Sequence, residues 1–276
     1  MNILYSISIS IYTSLILLFS FFNKKAKLWI HGRKNLFNRL SKIDTHKKNV
    51  IWIHAASLGE FEQAIPLIEN FKKHKKNFIL VTFFSPSGFE IRKNYPLADF
   101  ICYLPADTKT NSKKFISIIK PDMAIFIKYE FWFNYLKELK NKKIKTYLVS
   151  GIFRPNQHFF QFYGYWFQKQ LSAFNYFFVQ NLQSQELLAS VGYTNVELTG
   201  DTRFDRVNRI TKSVYKNDLI ESFCIDKKVI IAGSTWNAEH EFIKKYVQET
   251  PSEISFIIAP HEIDDKKIQL LKNEFK

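Results

Sequence analysis

The chain has 276 residues, 46% of them hydrophobic and 24% charged, with Lys+Arg 40 against Asp+Glu 25 and a formal net charge of +15. This composition excludes a disordered chain, and cysteine at only two positions, Cys102 and Cys224, excludes a disulfide framework or a cysteine-rich zinc site and fits a reducing compartment. The positive charge suits an anionic partner, whether nucleic acid, acidic lipid or a phosphorylated substrate, and suits equally a lysine-rich solvated surface.

From Ile3 to Phe22 there is no charged residue, and Asn23-Lys24-Lys25-Ala26-Lys27 follows. About 20 helical residues cover a ~30 Å hydrocarbon core. The lysines come after the apolar run, which places the bulk of the chain on the cytoplasmic side. A signal peptide would carry its positive charge before the run and a small-residue cleavage site behind it. Here only Met1 and Asn2 precede the run. An uncleaved anchor is therefore expected over 1–23, then a basic juxtamembrane segment over 24–48 able to hold anionic lipid head groups. Ser6, Ser8, Ser10, Thr13 and Ser14 lower the hydropathy of the first segment, so a helix lying in the interface stays open beside a transmembrane one.

A regular rhythm then begins. Strands are expected at 50–56, 78–84, 100–104, 123–127 and 145–149, with helices near 60–73, after Ser85-Pro86-Ser87-Gly88, at 110–119 and at 132–139. The strands are continuous apolar runs, and their alternation with helices predicts a parallel sheet covered on both faces. The segment 158–171 is expected to be one aromatic helix, serving core packing or an acyl-chain or membrane contact. Further strands are expected at 176–179 and 196–198. This α/β domain is assigned to 49–207. The charged, irregular stretch 208–227 reads as a linker. A new strand–helix unit occupies 228–276, and two strands with two helices are too few for a stable doubly wound domain, so the sequence is expected to stop inside its second domain.

Candidate functional residues gather at strand ends, where open α/β sheets bind ligands. Ser57 and Gly59 let the chain turn after the first strand, and Glu60 falls in the first helical turn, where the dipole favours an ionised carboxylate. Such a group can act as a general base on a sugar hydroxyl, or serve only as a helix cap. Glu130 follows the fourth strand in the same way, with the same two readings. Gly200-Asp201-Thr202-Arg203 puts a cation after a strand, for a phosphate or for a surface ion network with Asp201 and Asp205. Ser234 and Thr235 open a helix whose N–H groups suit a phosphate, and Pro260-His261 ends the next strand.

Taken in order, Ser57-Leu58-Gly59-Glu60, Glu130-Phe131-Trp132, Gly200 to Asp205 and Pro260-His261 resemble the bacterial 3-deoxy-D-manno-octulosonic acid (Kdo) transferase family, lipid A-specific. The resemblance implies a GT-B fold of two Rossmann-like domains, the first binding a lipid A precursor and the second the donor CMP-Kdo, with no cofactor and no metal. It implies inversion at the anomeric carbon, Glu60 as general base, Glu130 and Arg203 as transition-state stabilisers, and Ser57, Gly59, Ser234, Thr235, Pro260 and His261 as substrate contacts. It implies lipopolysaccharide biosynthesis at the cytoplasmic side of the inner membrane, with membrane phospholipid as a further partner. Departures are Tyr129 and Phe133 where the family turn reads Thr-Glu-Leu-Trp-Pro, and Pro260-His261 where it reads Pro-Arg-His. The family's later donor motifs have no counterpart before Lys276. Rival readings are a membrane-tethered lipid-binding domain without catalysis and a different GT-B nucleotide-sugar transferase. No nucleic-acid recognition motif accompanies the charge.

Overall fold

The computed structural model describes residues 2–212, 216–249, 254–261 and 263–275. They form two units, Met1–Lys212 and Ser213–Lys276.

The first unit begins with three helices, α1 (Asn2–Phe19), α2 (Lys24–Gly32) and α3 (Leu36–Leu40). Strand–helix alternation follows through β1 (Asn49–His54), α4 (Leu58–Lys72), β2 (Asn77–Phe83), α5 (Pro86–Arg92), β3 (Phe100–Tyr103), α6 (Lys109–Ile119), β4 (Met123–Ile127), α7 (Phe133–Asn141) and β5 (Lys145–Gly151). It continues with α8 (Tyr165–Leu171), β6 (Tyr176–Val179), α9 (Leu182–Ser190), β7 (Val196–Leu198) and α10 (Arg203–Lys212). The strands make one parallel sheet in the order β3-β2-β1-β4-β5-β6-β7.

The apolar runs are continuous because side chains alternate between two buried faces. Val50 and Trp52 of β1 enter one cluster with Phe115 of α6 and Leu136 of α7. Ile51 and Ile53 enter the other with Phe61, Ile65 and Ile68 of α4. Trp52 is fully buried and touches Phe115, Phe126 and Tyr135 at ring separations of 4.9, 5.3 and 5.6 Å. Truncation of such a residue to alanine costs about 3–5 kcal/mol.

The amino-terminal region differs from the sequence expectation. Among the described residues no single helix is long and apolar enough to cross a membrane, and α1 meets α2 at a bend of 119°. The stretch expected as a juxtamembrane segment packs on the domain, with Trp29, Leu36 and Leu40 buried. Arg33 fixes it there. Its guanidinium donates to the carbonyls of Leu104 (2.8 Å), Trp29 (3.0 Å) and Phe84 (3.0 Å) and lies 3.6 Å from the centre of the Trp29 ring. Burial pushes its pKa down to about 9, so the cation persists at neutral pH.

Two further expectations change. The aromatic segment 158–171 is a 3-10 turn at His158–Phe160 followed by α8, with Gly164 between them. A Cβ at Gly164 would stand 2.3 Å from the His158 carbonyl, so this bend requires glycine. The stretch 208–227 holds the end of α10 and all of α11 (Asp218–Cys224), while Ser213, Val214 and Tyr215 lie outside the described residues. Asn217 caps α11 by accepting from the Leu219 and Ile220 amides. The second unit continues with β8 (Lys228–Thr235), α12 (Asn237–Glu249), β9 (Ile254–Pro260) and α13 (Asp265–Glu274), and β8 pairs with β9 in parallel.

Helix α1 is tied to the first unit through Tyr5, whose hydroxyl donates to Asp107 at 2.5 Å. Asp107 also accepts from the amides of Asn134 and Tyr135, both at 3.0 Å, and so caps α7 from across the chain. A bond to a buried charged acceptor contributes about 1.5–3 kcal/mol. Tyr5→Phe is therefore expected to loosen α1 by that amount. Hydrogen exchange should accelerate over α1 while β1 to β5 keep their protection, and unchanged exchange in α1 would show that the helix is held by other contacts.

Candidate active site

Strands β1 and β4 are neighbours, yet the helices that follow them, α4 and α7, pack on opposite faces. This reversal is a topological switch point at the carboxyl edge of the sheet, the usual ligand position in doubly wound folds. Both candidate glutamates emerge here.

After β1 the chain passes through Ser57, whose backbone is extended (φ −132°, ψ 174°), and enters α4. Glu60 is the third helical residue. Its Oε2 accepts from the Ser57 amide at 2.8 Å and from the Ser57 hydroxyl at 3.2 Å. Glu60 thus does cap the helix, and both bonds fall on a single oxygen. Burial raises the Glu60 pKa, the charge of Glu130 raises it further, and Ser57 and His54 oppose the shift. A carboxylate held this way is a stronger base than an exposed one. Gly59 is exposed beside it, with nothing within 4 Å of the place a Cβ would occupy.

Glu130 reaches the same edge through an unusual turn. Lys128 takes a left-handed backbone (φ 72°) directly after β4. A non-glycine residue there costs about 1–3 kcal/mol and is typical of sites whose geometry the surroundings impose. The turn brings Glu130 Oε2 to 3.2 Å from Nε2 of His54, the last residue of β1, and to 2.6 Å from the Trp132 indole nitrogen. His54 is fully buried.

Arg203 starts α10. Its Nε and Nη2 donate to Asp201 Oδ2 at 2.8 and 2.6 Å, so the ion network read from the sequence is present for Asp201. The Arg203 side chain remains 55% exposed. The turn is fastened one helical turn beyond Glu60: Gln63 donates to Asp201 (2.8 Å), and Thr202 donates to the Gln63 carbonyl (2.8 Å).

The second unit holds the remaining candidates. Ser234, left-handed at φ 61°, bonds the exposed His261 ring at 2.8 Å, and that ring stacks on Trp236 at 4.3 Å. The His261 amide donates to the Thr235 carbonyl at 2.9 Å. Thr235 is buried, its hydroxyl 2.8 Å from His240. Pro260 closes β9. The structure therefore gathers Ser57, Gly59, Glu60 and Glu130 at one sheet edge and Ser234, Pro260 and His261 at another. Among the described residues no group of three or more His, Cys, Asp or Glu is placed to hold a metal ion.

Sequence reasoning quoted His54 and Trp132 inside their segments without giving either a role. The available signal was a histidine closing an otherwise apolar buried strand, where a polar ring needs partners. Gln63 carried no such signal.

The family model described as "3-deoxy-D-manno-octulosonic-acid transferase (kdotransferase)" matches residues 33–206, which include Ser57, Glu60, Glu130 and Arg203. The chain belongs to the Kdo transferase family. It is 27% identical to the 3-deoxy-D-manno-octulosonic acid transferase of Aquifex aeolicus over 226 residues, covering 80% of this chain and 57% of that protein. For the Haemophilus influenzae transferase the identity is 28%, covering 71% and 47%. A bifunctional glycosyltransferase/methyltransferase of Fusobacterium nucleatum is 25% identical, covering 95% and 40%. The chain thus spans about half the length of the curated relatives it matches. Among solved structures, the Neisseria meningitidis UDP-GlcNAc 2-epimerase aligns at TM-score 0.57 and 16% identity over 82% of this chain and 69% of that one. The Methanocaldococcus jannaschii enzyme aligns at 0.57 and 15%, covering 82% and 68%. This likeness concerns fold alone.

The coupling of the two carboxylates can be measured directly. In Glu130→Gln the Glu60 carboxyl, followed by carbon-13 NMR, is expected to titrate at lower pH than in the parent, because one of its two raising influences is gone while burial remains. An unmoved midpoint would place Glu60 beyond the reach of Glu130.

Proposed function

We propose that the protein carrying this chain transfers Kdo from CMP-Kdo to a lipid A precursor, with inversion and without a metal or cofactor. The observation that carries the reading is Glu60, a buried carboxylate of raised pKa at the sheet's switch point, within the region matched to the family.

In the proposed reaction Glu60 takes the proton of an acceptor sugar hydroxyl as that oxygen bonds to the anomeric carbon of Kdo. The bond from that carbon to the phosphate oxygen of CMP breaks, and CMP departs with its electron pair. Glu130 and Arg203 stabilise the charge that develops. Ser57 and Gly59 contact the acceptor, and the second unit contributes Ser234, Thr235, Pro260 and His261 to CMP, as one of two Rossmann-like halves of a GT-B enzyme. Family membership, and the exposed polar cluster of Ser234 and His261 at a strand end, support this assignment.

We further propose that the enzyme works at the cytoplasmic face of the inner membrane, with α1 lying in the interface against phospholipid. Leu4, Ile7, Ile11, Leu15 and Leu18 form an exposed stripe at helical spacing, and the opposite side, including Tyr5, faces the domain. The fully exposed Phe162 and the exposed Tyr165 suit the same surface.

The test is an assay of the full-length gene product with CMP-Kdo and lipid A precursor, comparing wild type with Glu60→Gln. Loss of a general base is expected to lower turnover by roughly 10²-fold or more with folding intact. Near-normal turnover in the folded variant would remove Glu60 from the mechanism, and turnover of a UDP-sugar in place of CMP-Kdo would reassign the donor.

A further inference from the structure

Three side chains beneath Glu130 are linked to it in a line. The Trp52 indole nitrogen lies 2.8 Å from Thr82 Oγ1, and Thr82 Oγ1 lies 2.9 Å from His54 Nδ1. His54 Nε2 lies 3.2 Å from Glu130 Oε2. Trp52, Thr82 and His54 are all 0% exposed, so every donor among them must be satisfied within the protein.

The direction of the protons follows from what each group can do. An indole N–H only donates, so Thr82 Oγ1 accepts from Trp52 and its own hydrogen is free. The one acceptor in line for that hydrogen is His54 Nδ1. The Thr82 carbonyl, 3.1 Å from Nδ1, accepts from the Ala55 amide at 3.0 Å and keeps a second lone pair, so the tautomer is decided on the Nε2 side, where the Glu130 carboxylate calls for a donor. With Nδ1 accepting, the ring proton sits on Nε2, aimed at Glu130. The Trp132 indole hydrogen lies within reach of two acceptors, Glu130 Oε2 at 2.6 Å and His54 Nε2 at 2.9 Å, and the nearer, charged carboxylate is the one that takes it. The opposite tautomer would set the Nε2 lone pair against a carboxylate.

We propose that Trp52, Thr82 and His54 form a one-directional donor chain, and that His54, through its Nε2–H and beside the Trp132 indole, is the positioning residue that clamps Glu130 by Oε2 and leaves Oε1 for the substrate. The catalytic consequence rests on the transferase reading above, whereas the direction of the chain does not. Glu130 reaches the sheet edge only through the strained Lys128 turn, so a fixed partner is what keeps its carboxylate from relaxing outward.

The chain direction is tested on the wild-type protein by nitrogen-15 histidine NMR, with the His54 signals assigned by their loss in His54→Gln. The Nε2–H tautomer is expected, and an Nδ1–H tautomer overturns the proposal. The positioning role is tested in the full-length protein with CMP-Kdo and lipid A precursor. Glutamine can return a donor near the Nε2 place, while asparagine reaches only the Nδ1 place. His54→Asn is expected to lower kcat by about 10–100-fold with little change in KM, the effect of a misplaced group, and His54→Gln to recover most of it. Equal kcat in the Asn and Gln variants, both folded by thermal melt, overturns the positioning role. If the wild type transfers no Kdo at all, the transferase reading fails, and the tautomer measurement still decides the donor chain.

Discussion

A histidine with no exposure at the end of a doubly covered strand has two nitrogens and no water to satisfy them. That constraint organises the molecule's centre. One nitrogen of His54 is answered from β2, through Thr82, and the other from the turn after β4, through Glu130. The residue therefore stitches together the three strands that flank the reversal of sheet order. Leaving either nitrogen unpaired costs about 1–3 kcal/mol, so strand register and site geometry are set by the same interaction.

The scaffold around that point is rigid where the chemistry needs it. Glu60 is fixed by its own cap, and its helix buries Phe61, Ala64, Ile65 and Ile68 against the sheet. The Gly200–Arg203 turn is held by Gln63 from the same helix and by Ser150, itself left-handed at φ 53° near the end of β5, whose hydroxyl lies 2.9 Å from that of Thr202. Strained backbone at Lys128 and Ser150 thus recurs along one edge of one sheet. Each strained residue is held by a bond that a relaxed turn would forfeit, which is how a stable core supports local strain at a site.

Much of this was legible in the sequence because it follows from periodicity and capping. Continuous apolar runs can sit only in a sheet covered twice, and a Ser-x-x-Glu after such a run places a carboxylate at a helix start. What escaped was non-local. Arg33 lies in a basic stretch that reads as juxtamembrane, yet the Leu104 and Phe84 carbonyls, far away in sequence, and the nearby Trp29 bury it. His54 and Trp132 stand far apart in sequence and meet only because β1 and β4 pair. The apparent helix at 158–171 was a matter of composition, since aromatic residues all round gave no face, and Gly164 broke it at a carbonyl cluster.

The first helix has a structural part in the site as well as the proposed place at the membrane. Tyr12 stacks near Phe84 at 6.2 Å, Phe84 lies against Trp132 at 4.6 Å, and Trp132 donates to Glu130. By a second route, Tyr5 bonds Asp107, which caps the helix that starts one residue after Trp132. Both routes end on the carboxylate that His54 also holds. If α1 rests on lipid as proposed, its outer stripe is taken by the membrane and its inner contacts need not be given up. Docking on the bilayer would then reinforce the arrangement at Glu130. A helix standing upright across the bilayer would have to release Tyr5 from Asp107 and Tyr12 from Phe84. The cost of stripping a hydrogen bond from a buried carboxylate therefore weighs against that orientation and favours the flat one.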